Sequence, residues 1–532
     1  MTAPYVKSVL EDQSTRVVSS NGVYTGIAIA AKKGEVGVPR LITNQTELLR
    51  VFTPNERIES GWDMAYYSAY YYLKEGSRLW VVRACADDAR YSGLLLKVSG
   101  KGSNVAITTG QTNPANYNFG NSDACLIYAS SQGKWGDDVG IKIVTDQSKV
   151  KLDGAFIIEV YKNIRVEDGN NVGDLVESHL VSFDVSLKTG YGTNCFIETV
   201  LEGSNYIRAL VNDVAIEDNP QILPAPQTTI LTMYGGTDGS AITVNQRINA
   251  IKKLSNPKEY PLAMLMDGGE TSASYQNALL GICAERTDCI AILSVNYEAT
   301  QNANKIDSMI AHRSTLSGSL PYLGSLYAPH QLMYDEFNDR NIYIDPATFV
   351  AGRSADVIEN YGWHWSNAGY NRGMVNTLDV ATSFTHEELD RLSDYEINCI
   401  IKEPGEGNLI YDQLTLQSKA SDLQELPISR YINCYLRPAL KDMLKYYLFE
   451  FNDAQTRADI EEKITNFMRV EKANRACYGF QVKCNEENNT ANDIENNRLN
   501  VWLYIKPTKF AKFIEQKIVI TPYSTSLANV SL

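Results

Sequence analysis

The sequence has little of what membrane proteins, nucleic-acid-binding proteins and most enzymes require. No window of its 532 residues approaches the roughly 18 consecutive apolar residues that span a bilayer, and no run of lysine or arginine is present. With 49 basic and 63 acidic residues, the formal net charge is −14, which disfavours phosphate backbones and anionic lipids as partners. We therefore expect no nucleic-acid partner and no direct membrane insertion.

The features of secreted proteins are also scarce. The nine cysteines, from Cys85 to Cys484, form no Cys-x-x-Cys pair, and an odd number at this low density is unusual for a disulfide framework. The N-terminus has no basic segment followed by an apolar stretch, which a signal peptide would need. We expect free thiols in a reducing cytoplasm and no secretion by a signal peptide.

Motifs that carry chemistry are missing as well. The sequence contains no G-x-x-x-x-G-K-[ST] loop and no G-x-S-x-G elbow, and the glycine cluster Gly235–Gly239 indicates a turn. His386 begins half of a zinc-protease motif, but Asp390 stands where the second histidine should be. Thr385 with Glu388 predicts a helix capping box instead. We predict no enzymatic activity, no cofactor, and no catalytic, cofactor-binding or metal-ligating residues.

Two acidic segments offer oxygen ligands without the spacing of a calcium loop. Residues 168–174 and 485–497 both lack the alternating ligand positions and the terminal bidentate glutamate of such a loop. Solvated turns are the favoured interpretation of both segments.

What the sequence does contain is a series of patterns typical of mixed α/β and α+β domains. The apolar run 23–31 and residues 79–82 predict buried strands, with a helix between them whose apolar stripe belongs to the core. That stripe consists of Trp62, Tyr66, Tyr70 and Leu73. Short strands such as 156–160 and 183–187, between Gly, Asn and Asp clusters, predict an inserted β-rich domain.

Further along, helical patterns alternate with strands. The strands 262–266 and 289–293 belong to this alternation, which predicts an α/β layer with a partly parallel sheet. Near the C-terminus, a helix starting close to Pro438 and a second helix capped by Thr456 with Asp459 are each apolar on one face. The face of the first helix comprises Leu440, Met443, Leu444, Tyr447 and Leu448.

These two helices need a sheet to cover. Alternating patterns over 480–484 and 499–505 predict its strands, and a third run, 514–520, leads into a polar tail. We thus predict a multidomain chain of mixed α/β and α+β class. Its parts are an extended arm at 1–21, an α/β domain in two pieces at 22–90 and 236–400, an inserted β-rich outer domain at 91–235, a C-terminal α+β domain at 401–516 and a second extended arm at 517–532.

Strand-like arms and sheet edges leave backbone N–H and C=O groups unpaired. An arm that adds as a strand to a neighbouring subunit would pair them through main-chain hydrogen bonds. Because such a contact is heterologous, it propagates into rings or open helical assemblies. We therefore predict that the C-terminal α+β domain mediates polymerisation.

Several further segments lie in a fixed order over most of the chain. They are 22–34, 39–43, 71–83, 131–138, 368–373, 396–401 with 404–405, and 428–431 through 451–453, 456–457 and 484–485 to 488–490. In this order they resemble the segments of a known family, the tail sheath proteins of contractile-tailed bacteriophages, and the segment 91–235 matches least well. Asn367 stands where family members more often have proline before the Ala-Gly-x-x-x-Gly segment.

The resemblance implies a structural subunit that forms stacked hexameric rings around a tail tube, with arms exchanged between neighbours. Such a sheath contracts on host recognition and drives the tube through the envelope during genome delivery. The implied partners are the chain itself, the tail tube protein, the baseplate and the tail terminator. The implied location is the virion tail, assembled in the host cytoplasm.

Two alternatives remain open at this stage. One is the sheath of a phage-derived contractile injection particle, which differs in its genomic surroundings. The other is a tail-associated glycan hydrolase with paired carboxylates, for which the sequence offers no motif.

Overall fold

A computed structural model describes residues 22–107, 113–217, 219–512, 514–516 and 518 of the chain. Internal contacts divide the chain into two compact units, 1–439 and 440–532, which are described separately. The arms predicted at 1–21 and 517–532 lie outside the described residues, apart from residue 518. The remaining domain boundaries stay predictions.

The strands of the described residues are numbered in chain order. They are β1 (Thr25–Ile29), β2 (Arg40–Ile42), β3 (Leu79–Arg83), β4 (Gly93–Lys97), β5 (Val105–Ala106), β6 (Asp123–Ala129), β7 (Gly140–Val144), β8 (Ala155–Glu167), β9 (Asn170–Ser182), β10 (Ile207–Val211), β11 (Leu231–Thr232), β12 (Met264–Met266), β13 (Ile290–Ser294), β14 (Gly324–Ala328), β15 (Gln331–Asp335), β16 (Arg340–Ile344), β17 (Met374–Val375), β18 (Asp379–Val380), β19 (Ile397–Glu403), β20 (Gly407–Ile410), β21 (Cys477–Lys483) and β22 (Trp502–Pro507).

The helices follow the same convention. They are α1 (Gln45–Phe52), α2 (Met64–Tyr72), α3 (Gln147–Val150), α4 (Ile197–Glu202), α5 (Asp213–Ile216), α6 (Val244–Ile251), α7 (Ala273–Arg286), α8 (Tyr297–Gln301), α9 (Lys305–Ser314), α10 (Pro346–Asn360), α11 (His386–Asp394), α12 (Leu426–Arg430), α13 (Arg437–Leu444), α14 (Ala454–Ala473) and α15 (Ala491–Glu495). A π-helical segment, Tyr431–Leu436, joins α12 to α13.

The largest sheet of the first unit has nine strands in the order β17-β20-β19-β14-β13-β12-β1-β3-β2. The six strands from β19 to β3 run parallel, whereas β2, β20 and β17 are added antiparallel at the two edges. Every residue of β1, β13 and β14 is buried. Since side chains alternate between faces, both faces must be covered. This confirms the predicted α/β layer.

Helix α2 is buried on all sides. Every residue from Ala65 to Tyr72 is buried, so the helix is core throughout and not amphipathic, and Trp62 lies before its start. A buried tyrosine hydroxyl loses its hydrogen bonds to water, and a hydrogen bond to an acceptor in the protein offsets that loss. The hydroxyl of Tyr66 donates to the Leu48 carbonyl, Tyr67 to Asp335, Tyr70 to Glu336, Tyr71 to the Tyr334 carbonyl and Tyr72 to Thr25.

Residues 93–232 form a β-rich region with two four-stranded sheets, in the orders β10-β6-β4-β5 and β11-β7-β8-β9. Buried residues of both sheets share one apolar core, separate from the core of the nine-stranded sheet. The chain enters and leaves the region side by side, since Arg90 bridges to Thr237 and Gly93 to Tyr234. The region is thus inserted into the α/β unit.

One strand predicted in this region is wrong. Residues 156–160 lie within β8 as expected, but β9 ends at Ser182 and residues 183–187 form a turn. Asp184 accepts hydrogen bonds from both the backbone N–H and the hydroxyl of Ser186. This local side-chain bonding replaces the ladder that the alternating pattern suggested.

The turn Lys32–Glu35, which follows β1, fastens the inserted region to the α/β unit. Three of its residues make polar contacts with residues of the region or its exit segment. Lys32 Nζ lies 2.8 Å from Asp238 Oδ2, the Gly34 N–H donates to Ser131 Oγ at 3.1 Å, and Arg208 Nη2 lies 3.2 Å from Glu35 Oε1.

The fourth residue of that turn, Lys33, is buried between aromatic rings. Its Nζ lies 5.2 Å from the ring centre of Trp135 and 4.6 Å from that of Tyr206, within cation–π range. Burial, with the nearby Lys162 ammonium, lowers the pKa of Lys33 to about 8. The inserted region is therefore held through charge and ring contacts over the whole turn.

The second unit combines α14 with a two-stranded sheet. Ile460, Ile464 and Met468 are buried at helical spacing on α14, which confirms its predicted apolar face. The predicted cap is wrong, because Asp453 caps the helix by accepting from the Thr456 N–H at 2.8 Å.

The predictions for the ends of this unit also need correction. Helix α13 ends at Leu444, and Leu448, expected on its apolar face, is exposed. The third strand-like run was predicted at 514–520. Described residues 514–516 and 518 form no strand, and Ile514 and Ile518 are exposed.

Among the described residues, no helix is long and apolar enough to cross a membrane.

Two carboxylic acids of the first unit are buried together where β12 ends and α10 begins. Asp267 accepts hydrogen bonds from the Ser294 N–H at 2.6 Å and from Gln276 Nε2 at 2.9 Å. Asp345 accepts from the Thr348 N–H at 3.0 Å. Burial and the neighbouring Asp345 carboxylate raise the pKa of Asp267 to about 7, and burial also raises the pKa of Asp345.

Replacing Asp267 by asparagine tests this raised pKa. The folded chain holds a proton that the unfolded chain releases near pH 4, so the wild type loses stability as the pH rises from about 4 to about 7. Between pH 4 and pH 7, we expect the free energy of unfolding of the wild type to fall by on the order of 2–4 kcal/mol relative to that of Asp267→Asn. Calorimetry measures this as a Tm of the wild type that falls relative to the Tm of the variant as the pH rises. Asp394→Asn, at an exposed position of α11, is the control. Parallel pH profiles of wild type and Asp267→Asn would contradict the expectation.

Candidate subunit interface

The carboxyl ends of β1 and β12 mark the place where ligands bind in open α/β sheets, because the connections diverge there. In this chain, ion pairs occupy that place. Arg247 lies 2.6 Å from Asp63 and 3.6 Å from Glu270, and Asp63 also accepts from the Ala30 N–H at 3.1 Å. The arrangement is a structural clamp between the strand ends.

The histidine motif of α11 is structural. The Thr385 hydroxyl accepts from the Glu388 N–H, and the Glu388 carboxylate accepts from the Thr385 N–H at 2.8 Å, which confirms the predicted capping box. His386 is exposed. Within the part of the chain that the structure describes, no three or more His, Cys, Asp or Glu residues gather in a way that would hold a metal ion.

The two acidic segments predicted as solvated turns are only partly turns. Segment 485–497 contains helix α15 and the buried Asn488 and Asn489, so the prediction is wrong there. In segment 168–174, residues from Asn170 onward belong to β9. Asp168 and Gly169 connect β8 to β9 with φ angles of 49° and 78°, as a tight hairpin turn requires. In the glycine cluster, Gly235 and Gly239 have positive φ angles of 94° and 76°, a conformation that glycine adopts readily, and Thr237 between them bridges to Arg90.

The feature of the second unit that points to function is its sheet. β21 and β22 pair antiparallel, with Val482 opposite Leu503 and Phe480 opposite Ile505 on the inner face. The outer face exposes Trp502 and Tyr504. A two-stranded sheet is marginally stable unless a helix or further strands support it. Here α14 contacts β21 and supplies that support from one side.

In the part of the chain that the structure describes, no third strand pairs with either long edge of this sheet. Among the described residues, β21 and β22 hydrogen-bond as strands only with each other. Each edge therefore presents outward N–H and C=O groups to a further strand. The edges can accept one strand on each side, which is the chemistry of strand addition between chains.

An asparagine cluster holds the two strands in register. Asn488 Nδ2 donates to the carbonyls of Lys483 and Asn500, both at 2.9 Å. Asn489 Nδ2 donates to the carbonyls of Asn485 and Asn500, and Asn489 Oδ1 accepts from the Asn500 N–H at 2.6 Å. Asn488 and Asn489 are buried although they lie in a connection.

The sequence identified these two asparagines by resemblance, without a role for them. Their side chains satisfy backbone groups of the connection on both sides, as buried polar groups require. The signal for such a role is a pair of adjacent asparagines between two alternating strands. The connection is thereby rigid, and the sheet edges keep a fixed spacing.

Comparison with known proteins identifies relatives for this chain. Residues 418–521 match the family model described as "Phage tail sheath C-terminal domain", which includes β21, β22 and α14. The chain is 27% identical over 369 residues to the "Tail sheath protein" of Enterobacteria phage T4, covering 65% of this chain and 54% of that protein. It is 25% identical over 383 residues to the "Tail sheath protein" of Vibrio phage KVP40, covering 67% and 55% respectively. The matches thus span about half the length of these relatives.

Solved structures share the fold. A sheath tail protein from Listeria innocua superposes with a TM-score of 0.58 at 10% identity, over 91% of this chain and 95% of that one. The helical sheath of the anti-feeding prophage in its contracted state gives a TM-score of 0.51 at 13% identity, over 97% of this chain and 98% of that one.

Removing an asparagine of the cluster tests its role in the sheet. Asn489→Ala leaves the Asn500 N–H without its acceptor, at a cost of about 1–3 kcal/mol. The Asn485 and Asn500 carbonyls lose one of their two donors each. We expect faster hydrogen exchange of the β21 and β22 amides, measured by mass spectrometry. Asn492→Ala, at an exposed position of α15, is the matched control and is expected to leave exchange unchanged. Equal exchange in the two variants would contradict the assignment.

Proposed function

We propose that the chain is the subunit of a contractile phage tail sheath, a structural protein that polymerises around a tail tube and contracts to deliver the genome. The observation that carries the proposal is the sheet with two unpaired edges, located in the segment that matches the tail sheath C-terminal family. The similarity to the tail sheath proteins of phages T4 and KVP40 supports it.

In this proposal, arms 1–21 and 517–532 of neighbouring copies pair with the outer edges of β21 and β22. Each added strand satisfies backbone groups that are otherwise left to water, and alternate side chains supply specificity. Since donor and acceptor are different surfaces, the contact does not close as a dimer and propagates instead. Stacked hexameric rings are one arrangement that such propagation yields.

Contraction requires two packings of the same subunit that differ in free energy, because a trigger shifts only states that already differ. Main-chain pairing through the arms keeps subunits connected while other contacts change. The baseplate, the tail tube protein and the tail terminator are the partners that hold the extended state. The sheath would be assembled in the host cytoplasm and located in the virion tail.

The role is structural in this proposal, with no enzymatic activity and no nucleic-acid partner. The curated relatives are named as phage tail sheath proteins, which favours a phage tail over an injection particle. A tail-associated glycan hydrolase is the rival class of function. A hydrolysis screen of the purified chain against host glycans distinguishes it.

Electron microscopy of the purified chain tests the proposal directly. Long hollow tubes with a helical surface, alone or after addition of tail tube protein, are the expected result. Monomers under all conditions, including with tail tube protein, would overturn it.

Deleting either arm tests the mechanism of assembly. Variants lacking residues 1–20 or 517–532 are expected to remain soluble, folded monomers that do not polymerise, because the arms supply the added strands. Light scattering reports polymer, and circular dichroism reports the fold. Tubes formed by either truncated variant would refute the role of that arm.

A further inference from the structure

The second unit carries an apolar turn, Tyr446–Phe451, in which large hydrophobic side chains are exposed in succession. Tyr446, Leu448 and Phe451 are 70%, 68% and 84% exposed, and Phe449 is fully exposed. A soluble chain rarely leaves four such side chains in water within six residues. The turn therefore has the character of a surface that is covered by a partner.

Two backbone hydrogen bonds and one cation–π contact fix the conformation of the apolar turn within the second unit. The Leu448 N–H donates to the Lys445 carbonyl at 3.4 Å, and the Glu450 N–H donates to the Tyr447 carbonyl at 3.3 Å. From α14, Lys463 Nζ lies 5.3 Å from the ring centre of Tyr447, within cation–π range. These contacts fasten the start of the turn to the helix while the rings that follow remain exposed.

Phe449 at the tip is strained. Its φ angle is 69°, in the left-handed region that bulky residues rarely adopt. Such a conformation persists only where the surroundings or a function require it. Here the strain places a phenylalanine ring in solvent, where it gains no burial within its own unit.

We infer that the apolar turn docks onto an apolar surface of a second copy of this chain, as a contact separate from strand pairing by the arms. The inference rests on the proposed function, which requires that copies meet. Beyond the strand pairing of the proposed function, it assigns a second contact between copies to the apolar turn Tyr446–Phe451.

The area of the turn fits a lasting contact. An aromatic side chain buries about 150–250 Å², so Tyr446, Phe449 and Phe451 offer roughly 450–750 Å² between them, and Leu448 adds to this. A standard interface buries about 800 Å² per partner. The turn therefore approaches that size on its own, without the arms.

The position of the turn favours a second copy as the partner. It lies in the same compact unit as the β21–β22 sheet, whose edges receive strands from other copies in the proposed assembly. A contact here would therefore lie in the unit that also receives the arms. It would hold two copies side by side while the arms link them through the backbone.

Photo-crosslinking from the tip identifies what the turn touches. Phe449→Cys is labelled with a benzophenone maleimide, and because all nine native cysteines are buried, the label goes to position 449. The labelled chain is mixed with excess wild type, polymerised and irradiated. Val214→Cys, 83% exposed in the inserted region, is the matched control.

In polymers, the label at position 449 is expected to give adducts between two copies of this chain. Their yield should be about tenfold that of the label at position 214 in polymers, and about tenfold that of the label at position 449 in unpolymerised monomer. Equal yields from positions 449 and 214 would overturn the inference. Adducts with added tail tube protein, and none between copies, would overturn it too, by assigning the turn to the tube.

A charge at the tip gives an independent readout. Phe449→Asp is expected to keep the circular dichroism and Tm of the wild type, since the ring is solvent-exposed, and to enter wild-type polymers about tenfold less. Val214→Asp is expected to enter them normally. Equal incorporation would overturn the inference and leave the proposed function intact, whereas the absence of any wild-type polymer would overturn the proposed function and the inference together.

Discussion

Backbone N–H and C=O groups must find partners, and the two units of this chain meet that requirement in different ways. In the first unit, six parallel strands are flanked by antiparallel strands, and the fully buried strands are covered on both faces. In the second unit, β21 and β22 pair only with each other among the described residues. In the proposed assembly, strands of neighbouring copies would pair with the edges of that sheet.

The first unit is filled where related architectures bind ligands. The Asp63–Arg247–Glu270 clamp and the buried Asp267–Asp345 pair lie at the strand ends. The tyrosine hydroxyls of α2 donate hydrogen bonds to acceptors within the chain. Side chains in this region hold strands and helices together. The strand ends of the first unit thus carry structural contacts.

Elements with strong periodicity were predictable from the sequence. Residues close together in sequence determine these elements, so a pattern in that sequence predicts them. Examples are strands β12 and β13, the apolar face of α14 and the capping box at Thr385. Prediction failed where one local bond competes with another. Asp184 turns the chain where alternation suggested a strand, and Asp453 caps α14 in place of Thr456.

The candidate interface was predictable only in part. Alternating residues around 480–484 and 499–505 indicated the sheet, but the number of its strands is a tertiary property that no local pattern encodes. The burial of Asn488 and Asn489 depends on backbone carbonyls of three other residues, Lys483, Asn485 and Asn500. The apolar spacing suggested that α13 continues to Leu448, but it ends at Leu444 and a 3₁₀ turn, Lys445–Tyr447, precedes the exposed Leu448 and Phe449.

The turn Lys32–Glu35 has a consequence for how such a chain can diversify. It meets Ser131, Arg208 and the rings of Trp135 and Tyr206 in the inserted region, and Asp238 in the exit segment. The region is therefore attached by more than its two covalent connections. A replacement module inserted at the same two points would lose these contacts unless it supplied a hydroxyl acceptor, a cation and an aromatic pair at matching positions. The inserted region is thus exchangeable only for a module that also provides the partners of this turn.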